Sequence, residues 1–200
     1  MDPDTRMDTE AAGPPGIPSW DVAGSAAPDA FRRMMRRVVG GVSVVATRND
    51  GRGWGMTVNA FTAVSMDPPT LLVCINARTV TAADIVRDRR FSLNLLSQDQ
   101  LHLCRFCARP GEAKHLDGYE VPAAGLPDGI VMPVLPGSLA TFDCSLVEAR
   151  PVASHFVVIG TVEAIVAPPP RPPLLYGEGR YQYGVALEDS PAMAGAQRWL

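Results

Sequence analysis

Hydrophobic and polar residues follow a helical period near the start of the chain. Apolar side chains recur three and four positions apart, at Phe31, Met34, Met35, Val38 and Val39. This spacing predicts an amphipathic helix that begins near Pro28 and ends at Gly40-Gly41.

The rest of the chain is rich in β-branched and aromatic residues, which indicates strands. The predicted strands are 42–47, 54–65, 70–75, 91–96, 139–149 and 155–167. Asn49-Asp50-Gly51 predicts a hairpin between the first two strands. Two more helices are predicted, at 82–89 with Thr81 as its cap and after the capping box that begins at Ser97. Because strands dominate and do not alternate regularly with helices, the pattern predicts a mostly antiparallel β-barrel with a few flanking helices.

The composition is that of one globular domain with tails. The chain has 200 residues, of which 46% are hydrophobic and 20% are charged. In residues 1–27, Gly and Pro interrupt any period and Ala, Ser, Asp and Gly fill most of the rest, so this segment is predicted to be a disordered tail. Residues 28–184 are predicted to form the domain, and residues 185–200 a C-terminal tail.

Charge and targeting signals exclude several classes of partner. The net charge of −3 gives no basic field, so neither nucleic acid nor an anionic membrane surface is expected. No apolar segment approaches the ~18 residues of a membrane span, and the first residues do not form a secretory signal. Four cysteines are too few for a disulfide scaffold. We therefore expect a cytoplasmic protein with reduced thiols.

Two stretches carry candidate chemistry. In the first, Thr57 and Asn59 place polar groups in a strand, where they need either structural partners or a polar ligand. In the second, Arg78, Thr79 and Thr81 meet the free N–H groups at the start of a helix, an arrangement that can hold a phosphate. Taken alone, an ordinary helix cap beside a surface arginine is the simpler interpretation. The glycine-rich motifs of Rossmann and P-loop nucleotide-binding folds are absent.

Together, the two stretches resemble the flavin reductase-like family, an FMN-binding split barrel whose members supply reduced flavin to two-component monooxygenases. The most specific match is Gly55-Met56-Thr57-Val58-Asn59-Ala60-Phe61, which leads to Asp67-Pro68-Pro69. Further matches are 74–81, 91–96, 133–137 and the strand that His155 opens. The resemblance extends over about residues 29–184.

The resemblance implies a six-stranded antiparallel Greek-key split barrel that works as a homodimer. It implies an NAD(P)H:flavin oxidoreductase that uses FMN or FAD with NADH or NADPH and supplies a partner monooxygenase. The implied flavin contacts are Met56, Thr57, Val58, Asn59 and Ala60 at the ring and ribityl chain, Cys74 close by, and Arg78, Thr79 and Thr81 at the phosphate. His155 is the implied catalytic residue, and with Tyr181 it borders the pocket where nicotinamide stacks on flavin. Hydride transfer needs two rings held in position and no nucleophile, which fits these residues.

The sequence departs from the family pattern in two places. Lys114-His115 stands where relatives carry Lys-Phe, and Ala153-Ser154 precedes His155 where relatives often carry an acidic residue. The flavin contacts of the first segment and the orientation of the His155 imidazole therefore stay open.

Two other functions are considered beside the reductase. The first is a flavin-binding module without reductase turnover, because a fold does not fix a function. The second is a metal-dependent redox protein, because His102, Cys104, Cys107 and His115 have a spacing that zinc sites use. The two cysteines are predicted inside a helix that faces the core, where cysteine packs as a small apolar residue. No metal site is therefore predicted.

Overall fold

The computed structural model describes residues 27–184, so the predicted tails at 1–27 and 185–200 lie outside the described residues except for position 27. The chain divides into two compact units, with the boundary between Met35 and Arg36. The first unit contains helix α1 (Pro28–Met35), in which no residue is buried. The helix ends before the predicted glycines, because Gly40 and Gly41 form a strand of the second unit.

Within the described residues, the second unit contains two antiparallel sheets and two α-helices. Its strands are β1 (Gly40–Gly41), β2 (Ser43–Asn49), β3 (Arg52–Val58), β4 (Phe61–Met66), β5 (Pro69–Asn76), β6 (Arg90–Leu95), β7 (Ala140–Val152), β8 (His155–Val166), β9 (Leu174–Gly177) and β10 (Arg180–Tyr183). The larger sheet has the order β3-β2-β6-β7-β8-β5-β4, and the smaller has the order β1-β9-β10. The mostly β, antiparallel architecture is as predicted.

The stretch 54–65, predicted as one strand, forms parts of two strands. β3 and β4 lie on opposite edges of the larger sheet, yet only Asn59 and Ala60 separate them. Because two residues span so short a distance, the sheet has to curl until its edges approach each other. The amide of Cys74 donates to the carbonyl oxygen of Ala60 at 2.9 Å at this corner. The larger sheet therefore has seven strands, and the implied count of six is reached only if β3 and β4 are one bent strand.

Alternate residues of the strands face two separate cores. Val45 and Leu93 belong to the first core, with side chains from β3, β5, β7 and β8 and from helix α2 (Val80–Asp88). Val44 and Ala46 point to the other face and belong to the second core, which helix α3 (Leu101–Cys107) covers. This is the two-residue period of a strand with both faces buried.

The helix caps fit the sequence in one case and not in the other. The predicted capping-box pattern opens a helix, because the Ser97 amide donates to Oε1 of Gln100 at 3.0 Å and the Gln100 amide donates back to the Ser97 carbonyl oxygen at 3.0 Å. The predicted cap of α2 is wrong: the cap is Thr79 and not Thr81. Thr79 has extended backbone angles, as a cap requires, whereas Thr81 already lies in the first helical turn.

The turn between β2 and β3 confirms the predicted hairpin. Asp50 and Gly51 both have positive φ, at 50° and 78°, as a tight two-residue hairpin requires. The smaller sheet was not predicted, because strands of two to four residues show no readable alternation. Among residues 27–184, no helix has the length and apolar character needed to cross a membrane.

Candidate active site

The start of α2 is held by a short network of hydrogen bonds. The hydroxyl of Thr79 donates to the carbonyl oxygen of Asn76 at 2.8 Å and accepts from the amide of Ala82 at 3.2 Å. Oδ1 of Asn76 accepts from the amide of Arg78 at 3.0 Å. The last residue of β5 thus fixes the turn that leads into the helix, and the first amides of α2 point out of a rigid element.

A cavity of about 690 Å³ opens in front of this turn. Its walls are Trp54, Asn76, the segment 78–81 and the segment 110–114. Thr81 is fully buried, and its hydroxyl has no hydrogen-bond partner among the described residues. A buried hydroxyl without a partner is costly, and Thr81 is also one of the residues that line the cavity.

The charges around the cavity favour an anion. Arg78 and Lys114 both line it, and so does Glu112, which pairs with Arg109 at 3.2 Å. Partial burial lowers the pKa of the Lys114 ammonium below its usual value. The positive end of the helix dipole adds to the two basic groups.

The sequence did not identify Trp54 as a wall residue and left the contacts of Lys114 open. The structure places the segment 110–114 opposite the start of α2, because the Gly55 amide donates to the Lys114 carbonyl oxygen at 3.0 Å. The rings of Trp54 and His115 meet edge to face, with 5.1 Å between their centroids. The signal that pointed to this segment was its match to the Lys-Phe motif, which a single sequence does not place in space.

A second cavity of about 210 Å³ lies further along β3. Its walls are Val42, Thr57, Val58, Asn59, Ala108, Tyr176 and Tyr181. The hydroxyl of Thr57 donates to the Cys104 carbonyl oxygen at 2.7 Å and so fastens β3 to α3. At about 3.3 Å per residue, Thr57 follows Trp54 by roughly 10 Å along the strand. One strand therefore serves both cavities.

Tyr181 forms an aromatic wall of the second cavity. Its ring meets that of Tyr176 edge to face at 5.2 Å, and the Arg105 guanidinium lies 5.8 Å from its centroid. Burial, followed by a hydrogen bond with Cys104, raises the pKa of the Tyr181 hydroxyl to about 12. The hydroxyl therefore stays protonated at neutral pH and acts as a neutral hydrogen-bonding group.

Four of the implied site residues line neither of these two cavities. Met56 is half-buried and packs against the first core, Ala60 is exposed, and Cys74 is half-buried. His155 is exposed, and its Nδ1 lies 2.9 Å from the Ser154 hydroxyl. His155 also stands opposite Asn76 in the β5–β8 pairing, and Asn76 lines the first cavity.

The cysteines behave as core residues. Cys104 and Cys107 are fully buried in the second core, and burial raises the pKa of the Cys107 thiol to about 12. A thiol with so high a pKa is neither a reactive nucleophile nor a ready metal ligand at neutral pH. No cluster of three or more His, Cys, Asp or Glu side chains suited to a metal ion occurs within residues 27–184.

The sequence pattern of the flavin reductase like domain matches residues 35–184. The chain belongs to this family. Among curated relatives, the reductase subunit HsaB of a flavin-dependent monooxygenase from Rhodococcus jostii is 32% identical over 156 residues, covering 77% of this chain and 76% of the relative. The reductase component of FADH(2)-dependent resorcinol hydroxylase from a Rhizobium species is 36% identical over 153 residues, covering 76% and 84%.

Solved structures of family members have the same fold. The flavin reductase PheA2 is 29% identical, with a TM-score of 0.67, over 80% of this chain and 99% of that one. BorF, the flavin reductase component of a bacterial two-component tryptophan halogenase, is 25% identical, with a TM-score of 0.71, over 80% and 100%.

The first cavity fits the phosphate end of a flavin nucleotide. A phosphate needs several donors and positive charge, and the cavity is lined by Arg78, by the start of α2 and by Thr81, whose buried hydroxyl has no partner among the described residues. These are the residues whose pattern first suggested an anion site, together with Lys114 on the opposite wall.

Proposed function

We propose that the protein is an NADH-dependent flavin reductase that reduces FMN or FAD and supplies reduced flavin to a partner monooxygenase. The observation that carries the proposal is the cavity of about 690 Å³ at the start of α2. It is lined by Arg78, Lys114 and Thr81, and the buried Thr81 hydroxyl has no partner among the described residues. Relatives that are named reductase components of monooxygenases support it, as do relatives named FMN reductase (NADH).

The proposed site residues contact different parts of the ligands, according to their position. Arg78, Thr79 and Thr81 are proposed to hold the phosphate, and Thr57, Val58 and Asn59 to face the ring and ribityl chain, with Met56, Ala60 and Cys74 behind this wall. When bound, flavin accepts a hydride from the nicotinamide ring, and the cofactors supply that chemistry themselves. The chain's own part is to stack the two rings at ~3–3.5 Å and to exclude water, and we assign this ordering to Tyr181 and His155.

The test measures the oxidation of NADH and NADPH with FMN, with FAD or with no added flavin. The loss of absorbance of the reduced nicotinamide is the readout. Turnover that depends on added flavin supports the proposal and identifies both preferences. NADH is the donor we expect. Absence of turnover with every pair, with flavin nevertheless bound, would support a flavin-binding module instead and contradict the reductase. A Thr81→Val variant tests the proposed phosphate site in the same assay, because it removes the hydroxyl while keeping the side-chain volume and is expected to weaken flavin binding.

We propose that residues 28–184 form the flavin reductase domain and that its larger sheet closes into the Greek-key barrel. The two-residue link between β3 and β4 supports closure, because these strands are the two edges of the sheet. All four cysteines are free, which fits the reducing cytoplasm expected from the sequence.

We also propose a homodimer. Val64, Met66 and Ile165 are each more than half exposed. Met66 and Ile165 line an apolar cavity of about 480 Å³ whose walls come from strands β4 to β8. β4 is an edge strand, and a second copy would cover both the free edge and the apolar side chains. A Met66→Glu and Ile165→Glu double variant is expected to shift the mass in light scattering to that of a monomer. Val86→Glu, at an exposed position of α2, is the matched control.

A further inference from the structure

Lys114, the only lysine in the chain, is the one primary amine side chain of this protein, and it lines the cavity at the start of α2. Its backbone is fixed, because its carbonyl oxygen accepts the amide of Gly55 at 3.0 Å. Within residues 27–184 no carboxylate forms an ion pair with its ammonium, and the nearby Glu112 pairs with Arg109 instead.

We propose that Lys114 is a covalent modification site for small phosphorylated aldehydes, and that modification there closes the cavity to phosphate-bearing ligands such as flavin nucleotides. The second clause rests on the proposed function. The first clause depends only on the cavity and its residues.

The cavity provides a binding site for the phosphate of such an aldehyde. Arg78, the first residues of α2 and Thr81, whose fully buried hydroxyl has no partner among the described residues, all line it. A phosphate bound there holds the aldehyde within the cavity that Lys114 lines. The bimolecular encounter between amine and carbonyl then becomes an intramolecular one, which raises its rate.

The amine is suited to the reaction. Partial burial lowers the pKa of the Lys114 ammonium, so a larger share of the side chain carries the free lone pair. The lone pair of Nζ attacks the aldehyde carbon, a C–N bond forms, and the carbonyl oxygen takes up a proton. The resulting carbinolamine loses water, and the product is an imine between Nζ and the former aldehyde carbon. Nothing is oxidised or reduced in these steps.

The test uses pyridoxal 5′-phosphate as the probe on the full-length protein, with borohydride trapping of the imine and peptide mass mapping. We expect one label per chain, on Lys114, formed about tenfold faster than with pyridoxal, which lacks the phosphate. Excess inorganic phosphate and FMN should each slow the labelling. Labelling confined to the terminal amine, or equal rates with pyridoxal, would overturn the proposal.

Two variants distinguish the contribution of the phosphate site from that of the Lys114 amine. Thr81→Val is expected to reduce the rate with pyridoxal 5′-phosphate toward that with pyridoxal, while Lys114 still reacts. The double variant Lys114→Arg with Arg171→Lys keeps one lysine but moves it to an exposed segment that does not line the cavity. Its labelling should show no phosphate preference and no protection by FMN. If the relocated lysine reacts as selectively as Lys114, the cavity has no role and the proposal fails.

The test distinguishes this proposal from the reductase assignment. Labelling of Lys114 requires no flavin turnover, so loss of NADH oxidation activity would not affect it. Conversely, if the labelling proves unselective, the modification proposal fails, but the wild-type protein can still oxidise NADH. Protection by inorganic phosphate without protection by FMN would overturn the claim that the two ligands share the cavity.

Discussion

Thr79 and Thr81 stand two residues apart at the start of α2, but only the hydroxyl of Thr79 has hydrogen-bond partners. Thr79 donates to Asn76 at 2.8 Å and accepts from Ala82 at 3.2 Å. The Thr81 hydroxyl is fully buried with no partner among the described residues. The first threonine therefore caps the helix, whereas the second is the one that we propose to bind the flavin phosphate.

Thr81→Val is expected to change stability and flavin binding in opposite directions. Removing a buried hydroxyl without a partner raises the free energy of unfolding by about 1 kcal/mol, because its desolvation is no longer uncompensated. Flavin affinity falls about tenfold, because a hydrogen bond to a charged phosphate is lost. Urea denaturation and flavin titration measure the two effects. If both quantities fall together, the Thr81 hydroxyl has a structural partner and is not part of a ligand site.

The local signals in the sequence were sufficient for most elements of the fold and for one part of the site. Arg78, Thr79 and Thr81 could be placed together, because they are neighbours in sequence and a helix start follows them. Trp54 could not be placed, because its approach to this turn depends on the pairing of distant strands. Which of Thr79 and Thr81 caps α2 could not be predicted from the sequence either, since threonine suits a helix cap at both positions.

The break between β3 and β4 has a similar cause. Residues 54–65 carry strand-forming side chains throughout, so the local pattern indicates one strand. The bend at Asn59 and Ala60 follows from closure of the sheet, in which the two halves pair with different neighbours. Such a tertiary constraint leaves no local signal in a single sequence.

His155→Ala is expected to lower kcat/KM for NADH by about tenfold and to leave flavin affinity unchanged. The side chain is exposed and stands opposite Asn76, beside the cavity rather than within its walls. We therefore propose that it orders the nicotinamide and does not contact the flavin phosphate. Steady-state kinetics with varied NADH, together with a flavin titration, tests this. His102→Ala is the control, since this exposed histidine on α3 lies in neither cavity wall.

Asp84→Ala is expected to lower the free energy of unfolding by about 3 kcal/mol. The Asp84 carboxylate is buried in α2 and accepts from the Thr47 hydroxyl at 3.0 Å and the Asn49 amide at 3.1 Å. Removing it leaves the buried Thr47 donor unsatisfied and loosens α2 from β2. Urea denaturation measures the change. Asp99→Ala removes an exposed ion pair and should cost less than about 0.5 kcal/mol, so equal losses in the two variants would contradict a special role for Asp84.

Gly160→Ala is expected to destabilise the protein by about 1–3 kcal/mol. A Cβ at this position in β8 would lie 2.7 Å from Cζ of Phe91 and 3.3 Å from Cβ of Cys144. The Phe91 ring is fully buried in the first core and has no free space to move into. Thermal unfolding of the variant measures the cost. Gly40→Ala meets no atom within 4 Å and should unfold close to the wild-type temperature.

The free energy of unfolding is expected to fall as the pH rises from about 9 to about 12. Burial raises the pKa of the Cys107 and Cys144 thiols from 9.0 to about 12, and that of Tyr181 from 10.0 to about 12. Above pH 9 the unfolded chain therefore releases protons that the folded protein keeps. The unfolded state then binds fewer protons, so unfolding becomes more favourable with each step in pH. Below pH 9 these groups are protonated in both states, and they give no slope there.

Urea denaturation at a series of pH values checks this, with Cys144→Ala as the matched variant. The variant is less stable at every pH because its core has a cavity, but its stability should fall less steeply between pH 9 and 12, since one of the raised thiols is gone. Equal slopes in the two proteins would mean that the Cys144 thiol ionises as easily in the folded state as in the unfolded chain. Its burial between β6, β7 and β8 would then not protect it from alkaline solvent.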